Sequence, residues 1–197
     1  MIVDKIISIP GLFIAIIFHE VAHGYVAYRL GDPTAKREGR LTLNPLKHID
    51  IVGFLFLLIF KFGWAKPVPI NPLYFKNRKR DILLVSIAGP LTNLAIAFIL
   101  AILISFIGIT NGIITQMIVI AIWYNIMLGI FNLLPFPPLD GSKIVASLLP
   151  EKYEILFYKY EKYLYFILII LIVTDTVDKI LGPFINIALS VLLKIIS

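Results

Sequence analysis

The sequence predicts an all-α polytopic membrane protein, a bundle of about five to six transmembrane helices with a short re-entrant or strand-like segment near residues 39–72. Three observations predict it. Hydrophobic residues make up 59% of the 197-residue chain and the mean hydropathy is +0.94, far above a soluble domain, so the bilayer is the solvent this composition fits. Two apolar stretches, Ile82 to Ile107 and Ile113 to Leu134, are long enough to cross hydrocarbon as helix, which takes about 20 residues. The net charge of +6 comes from Lys and Arg clustered beside apolar segments, the pattern of a topology signal. No nucleic-acid partner is expected.

The elements follow in order. The first helix runs from about Ile6 to Leu30, where Gly31, Asp32 and Pro33 stop it. No basic n-region precedes it and no small-residue cleavage site follows the apolar run Ile6 to Phe18, so it is expected to stay rather than be removed as a signal peptide. Gly39 to Pro45 alternates briefly and reads as a short strand or extended segment. Ile49 to Phe60 is strongly apolar yet too short to span, and both its flanks are basic. A re-entrant segment satisfies both facts. It puts the basic residues from Arg29 to Lys47 and from Lys61 to Arg80 on one side, cytoplasmic by the positive-inside rule. Irregular backbone at that depth must line protein or a water-filled cavity.

Ile82 to Ile107 then leads out, an uncharged turn from Gly108 to Gly112 follows, and Ile113 to Leu134 leads back. Pro135, Pro137 and Pro138 break that helix, because proline removes a backbone donor and restricts the residue before it. Leu139 to Leu149 resumes a helical pattern, Glu151 to Lys162 is charged and interfacial, and Tyr163 to Val173 with Ile180 to Ile196 forms a terminal hairpin. The expected organisation is one domain over 1–197, with a catalytic core of about 6–150 and a C-terminal helical hairpin of about 151–197. There is no repeat and no low-complexity stretch.

There are no cysteines, which excludes disulfides, thiolate ligation and a cysteine nucleophile together. Any metal must be held by His, Asp or Glu. His19-Glu20-Val21-Ala22-His23 has the H-E-x-x-H spacing, which sets two imidazoles on one helical face within reach of one metal. Glu20, one residue along, can act as general base on a water beside that metal and return the proton to a leaving amine. Each ionisable group costs about 2.5–3.5 kcal/mol at the bilayer centre, so three together point to a metal site. A catalytic zinc site needs a third protein ligand and an open position. The notable acid outside the basic clusters is Asp140, just after the proline break, and the alternative role for it is a helix N-cap.

With these motifs in place the chain resembles the site-2 protease family of intramembrane zinc metalloproteases. The resemblance rests on His19-Glu20-x-x-His23 and on Asn132-Leu133-Leu134-Pro135-Phe136-Pro137-Pro138-Leu139-Asp140-Gly141. Gly63 to Pro72 and Ala88-Gly89-Pro90-Leu91-Thr92-Asn93 look like the family's pattern too, so that it covers roughly residues 15–150. It implies His19, His23 and Asp140 as ligands of one zinc per chain and Glu20 as catalytic base. It also implies that Asn132 lies by the site and positions substrate or stabilises an oxyanion; helix-to-helix hydrogen bonding is its other reading. The implied partners are the lipid bilayer and a membrane protein whose transmembrane segment is cut. The implied place is a multi-pass position in the cell membrane, with the site near the cytoplasmic side. Neither a PDZ-like insertion nor a C-terminal regulatory module is present, so a compact form is expected.

Cobalt, manganese or iron also suits such ligands. A metal-ion transporter or metal-sensing membrane protein using the same three ligands is the alternative function; against it, no internal symmetry is visible and Glu20 is retained. A silent scaffold is a third. His48 reads as an interfacial histidine capping the re-entrant segment, with approach to the site or pH tuning of it as the other reading, and Asn93 as a packing amide with an interhelical hydrogen bond, with support of the site as the other reading.

Overall fold

Backbone in hydrocarbon has no water to bond, so the apolar runs close their own N–H and C=O groups as helices. The computed structural model describes residues 2–50, 52–53, 65–107 and 112–196. Helix α1 spans Ile2–Arg29 and the single turn α2 Thr34–Arg37. Short 3-10 turns at Pro45–Lys47 and Pro72–Tyr74 lead to α3, Arg78–Ile107. Next come α4 (Ile113–Asn132), α5 (Asp140–Leu148), α6 (Glu151–Lys159), α7 (Glu161–Val173) and α8 (Thr176–Ile196). Gly31, at φ 109°, turns the chain out of α1 in a conformation that a side chain would strain.

Among the described residues four helical stretches are long and apolar enough to cross a membrane: Ile7–Arg29, Arg78–Phe106, Ile113–Asn132 and Thr176–Lys194. The protein is therefore an all-α, multi-pass membrane protein. The terminal hairpin forms, but its first arm, α7, has only 13 residues, about 20 Å of helix against about 30 Å of hydrocarbon. The predicted re-entrant segment, Ile49 to Phe60, lies largely outside the described residues, as does the turn from Gly108.

The alternation in Gly39 to Leu43 does not produce a strand. Gly39 closes α2 at φ 63°, the Asn44 side chain accepts from Leu46 N and starts the first 3-10 turn, and His48 Nε2 bonds the Thr42 carbonyl. Side chains thus take the groups a neighbouring strand would have paired. The isolated antiparallel bridge Ile49–Ala65 is the β-pairing found among the described residues.

Helices α1, α3 and α4 pack mutually, α5 lies against α3, and α8 rests on α3 and α4. Lipid tails are as apolar as leucine, so helix association depends on close packing of small residues more than on apolar burial. The seam fits that rule: Ala15, Ala27, Ala97, Ala101 and Ala121 are all buried in it. A Cβ on Gly11 would lie 2.8 Å from Ala121 Cα, so α1 and α4 touch backbone to backbone there.

Candidate metal centre

His19 and His23 project from the same face of α1, their rings edge to face with centroids 4.6 Å apart. Both are buried, at 5% and 6% exposure. Asp140 enters from the first turn of α5, after the proline segment has ended α4 and turned the chain back into the bundle. Its side chain does not cap its own helix. Asp140 Oδ2 lies 3.0 Å from His19 Nε2 and 3.0 Å from His23 Nε2, and the two Nε2 atoms are 3.0 Å from each other. Two histidines four positions apart and an aspartate more than a hundred positions further on thus offer one ligand atom each to a single point.

The chemistry of these donors decides what belongs at that point. His23 Nδ1 lies 2.7 Å from the Val85 carbonyl, which only accepts, so that nitrogen carries the proton. His19 Nδ1 lies 2.6 Å from Asn93 Oδ1, likewise an acceptor. In the neutral rings both Nε2 atoms therefore present lone pairs, and Asp140 adds a carboxylate. Three lone pairs within 3.0 Å repel unless a cation lies among them, and a metal ion can satisfy all three at once. Zinc bonded to nitrogen and oxygen at about 2.0–2.1 Å separates neighbouring donors by about 3.3–3.4 Å in a tetrahedron. The observed triangle is close to one face of it, leaving a fourth position open.

Two glycines permit this convergence. A Cβ on Gly89 would lie 2.5 Å from His23 Nε2 and 2.6 Å from His19 Cε1, so α3 can press its bare backbone against both rings. A Cβ on Gly141 would run into the carbonyls of Leu133 and Leu134, so glycine lets α5 start immediately against the end of α4. Lys143, one turn beyond Asp140, brings Nζ to 3.5 Å from Asp140 Oδ1, the carboxylate oxygen turned away from the histidines. It is half exposed.

Glu20 is half-buried beside the cluster. Its Oε2 accepts a hydrogen bond of 2.8 Å from Val68 N. The extended residues 65–71 are tied to α1 by this bond, and to the turns before and after α2 by Asn71 N on Asp32 Oδ2 at 2.7 Å and by the Arg40 guanidinium on the Lys66 carbonyl at 2.7 Å.

The remaining predicted residues sit differently. Asn132 ends α4, and its Nδ2 donates to the Leu128 carbonyl of its own helix at 3.0 Å. His48 is fully buried on the Thr42 carbonyl and is not part of the ligand triangle. Asn93 does more than pack: it holds His19. Asn125, which no motif singles out, is fully buried behind it and accepts from Asn93 Nδ2 at 3.0 Å. The signal was an amide inside an apolar helix, which needs a hydrogen-bonding partner.

Comparison with known proteins gives this arrangement its family. Residues 107–174, which include Asp140 but not the H-E-x-x-H helix, match the model of peptidase family M50. The chain is 41% identical over 195 residues to the "Putative zinc metalloprotease YwhC" of Bacillus subtilis (strain 168), covering 94% of this chain and 89% of that one. It is 27% identical over 181 residues to Rip2 of Mycolicibacterium smegmatis, covering 88% and 69%. It is 30% identical over 143 residues to zinc metalloprotease MJ0392 of Methanocaldococcus jannaschii, covering 72% and 34%. No solved structure matches. A near-full-length relative, a buried His-His-Asp cluster suited to zinc and an apolar helical bundle agree: the chain belongs to peptidase family M50, the membrane-embedded zinc metallopeptidases.

Proposed function

We propose that the chain is an intramembrane endopeptidase that cuts transmembrane segments of other membrane proteins, with His19, His23 and Asp140 as the ligands of one zinc ion and Glu20 as general base. The observation that carries this reading is the triangle of donor atoms, 3.0 Å on each edge, formed between α1, which is long and apolar enough to cross the membrane, and the first turn of α5. When bound there, zinc supplies Lewis acidity toward a scissile carbonyl and lowers the pKa of water. Glu20 takes the proton from the attacking water and passes it to the leaving amine. The Val68 N–H holds Glu20 Oε2, which fixes the carboxylate and leaves Oε1 for proton transfer. Asn132 ends α4, eight residues before Asp140 opens α5, and its amide is the donor that the chain would offer to an oxyanion.

A peptide bond within a helix is shielded, so a substrate must unwind before attack. Residues 65–72 offer such an unwound strand few backbone donors. Three of these residues are prolines, and the N–H groups of Lys66, Val68 and Asn71 already bond His48, Glu20 and Asp32.

The positive-inside rule gives the orientation: the basic segments around α2 and the start of α3 face the cytoplasm in the cell membrane. His23 and His19 precede Arg29, at the basic end of α1, by six and ten residues, about 9 and 15 Å of helix. Half-exposed Lys143 beside Asp140 supports access for water from that same end. The site is therefore near the cytoplasmic side.

The test is cleavage of a panel of single-span membrane proteins by the purified, detergent-solubilised enzyme, with bound metal quantified. Glu20→Gln is expected to keep about one zinc per chain and lose cleavage by at least about a hundredfold; chelation is expected to abolish cleavage. Metal binding with no cleavage, unchanged by Glu20→Gln, would favour the transport or sensing role instead.

A further inference from the structure

Between α1, α3 and α4 lie two asparagines at 0% exposure, Asn93 and Asn125, in a seam that also buries Ala15, Ala97, Ala121 and Ile126. Every bond they make can be oriented. The Ala121 carbonyl only accepts, so the Asn125 group 2.8 Å from it is the NH2. Asn125 Oδ1 then faces Asn93 Nδ2 at 3.0 Å. Asn93 Nδ2 also donates to the Ala15 carbonyl at 2.8 Å, so both its hydrogens are used. A flipped Asn93 would set its oxygen against two other oxygens, which fixes Oδ1 toward His19 Nδ1.

We propose that Asn93 and Asn125 form a two-amide relay that holds His19 as its Nδ1–H tautomer, with the Nε2 lone pair beside His23 Nε2 and Asp140 Oδ2, and that this relay sets the affinity of the site for zinc. Asn93 is a positioning residue through its oxygen. Asn125 is one through the bond that keeps Asn93 from flipping. The inference rests on His19 being a zinc ligand. Backing of this kind on a ligating imidazole is worth about 10–100-fold in metal affinity. In a membrane helix the tautomer cannot be imposed by water, so the amide pair carries it. Gly129 makes room for the relay: a Cβ there would lie 3.3 Å from Asn93 Cβ and 3.2 Å from the Pro90 carbonyl.

The relay makes a prediction that packing does not. Asn93→Asp keeps an oxygen for His19 Nδ1 but loses both donated bonds and faces the Ala15 and Asn125 oxygens. Asn93→Leu fills the space and keeps no acceptor. If Asn93 merely packs the seam, Asp is the worse substitution. If it positions His19, Asp binds zinc more tightly than Leu even though it lowers thermal stability.

The experiment measures the zinc dissociation constant of the full-length, detergent-solubilised chain by competition with a chelator, together with the absorption spectrum of the cobalt-substituted form. Asn93→Leu is expected to weaken zinc by about 10–100-fold and to change the cobalt spectrum; Asn93→Asp is expected to recover much of both. Asn125→Leu, which leaves the Asn93 amide in place, is expected to weaken zinc by about three- to tenfold, and it carries the test should Asn93→Leu fail to accumulate. Wild-type zinc affinity in Asn93→Leu or Asn125→Leu, or Asp binding no better than Leu, overturns the relay. His19→Ala with undiminished zinc affinity overturns the ligand reading beneath it. The predicted order of affinities with no membrane substrate cut leaves the relay standing and removes the endopeptidase reading.

Discussion

The α1–α3–α4 seam and the C-terminal hairpin α7–α8 are built from similarly apolar sequence, yet they pack in different ways. A third of the membrane-crossing stretch of each of α1, α3 and α4 is buried in protein, against 17% for α8. In the seam, Gly11 and Gly129 bring backbone against backbone, Gly89 lies bare against two imidazoles, and buried amides and imidazoles bond one another. In the hairpin, Leu168, Val177 and Leu181 pack together while Phe166, Ile170, Val173, Phe184 and Ile187 face outward. The difference teaches that hydropathy assigns a segment to the membrane but does not say whether it faces lipid or a site. Small residues beside buried polar ones do.

The strongest way to break this comparison is to place a methyl group in each region. Gly89→Ala forces a Cβ to within 2.5 Å of His23 Nε2, so either α3 or the imidazole must move. Displacement of about 1 Å costs on the order of a hundredfold in catalysis. The expectation is loss of bound zinc and at least that loss of cleavage. Gly141→Ala, against the Leu133 and Leu134 carbonyls, is expected to displace Asp140 with an effect of the same order. Zinc stoichiometry and cleavage rate check both; either variant with full zinc occupancy and full activity would mean that the seam yields as readily as the hairpin.

Legibility in the sequence followed the range of the interactions. His19, Glu20 and His23 are a local pattern, readable because i and i+4 share a helical face. Asp140 is readable because a proline break ending in Asp-Gly is a local event as well. That these residues meet is a tertiary fact, to which the cost of ionisable groups in hydrocarbon, the third ligand a zinc site needs and the family resemblance pointed. The same reasoning applied to Asn125 and was not drawn out, since no spacing links it to Asn93, 32 residues away, or Asn93 to His19, 74 residues away. The strand reading of Gly39 to Leu43 failed for the opposite reason: the alternation was real, but Asn44 and His48 side chains took the backbone groups. The length of α7 was set by Thr174 and Asp175, the latter at φ 53°, a conformation Asp tolerates.

A smaller effect is expected where the two regions are joined. Glu154 of α6 is buried, with Lys79 Nζ at 3.0 Å and Arg78 Nη2 at 3.8 Å, and Lys79 also donates to the Leu149 carbonyl at 2.6 Å. This ties the approach to the hairpin to the first turn of α3. Lys79 is 39% exposed, so water screens the pair. Glu154→Gln is expected to cost about 1 kcal/mol, or about 2–4 °C in Tm, with zinc affinity unchanged. Thermal unfolding at low and high salt checks it. A parallel loss of zinc affinity would show that the hairpin's anchor also supports the site.

The smallest effect is the methyl group in the hairpin. Nothing outside its own neighbours in the chain lies within 4 Å of a Cβ on Gly182, so Gly182→Ala meets open space where Gly89→Ala meets two imidazoles. Two opposed terms remain, both local. Replacing a helical glycine by alanine stabilises by about 0.5–1 kcal/mol through the unfolded chain. Pro183 follows inside α8, and a proline ring disfavours helical geometry for a preceding residue that carries a Cβ. The two nearly cancel, leaving a net change within about 0.5 kcal/mol. Zinc affinity and cleavage are expected to match the wild type. A change in zinc affinity at Gly182 would mean that strain in α8 reaches the ligands through its contacts with α3 and α4. The hairpin would then belong to the metal site mechanically, although it carries none of His19, His23 and Asp140.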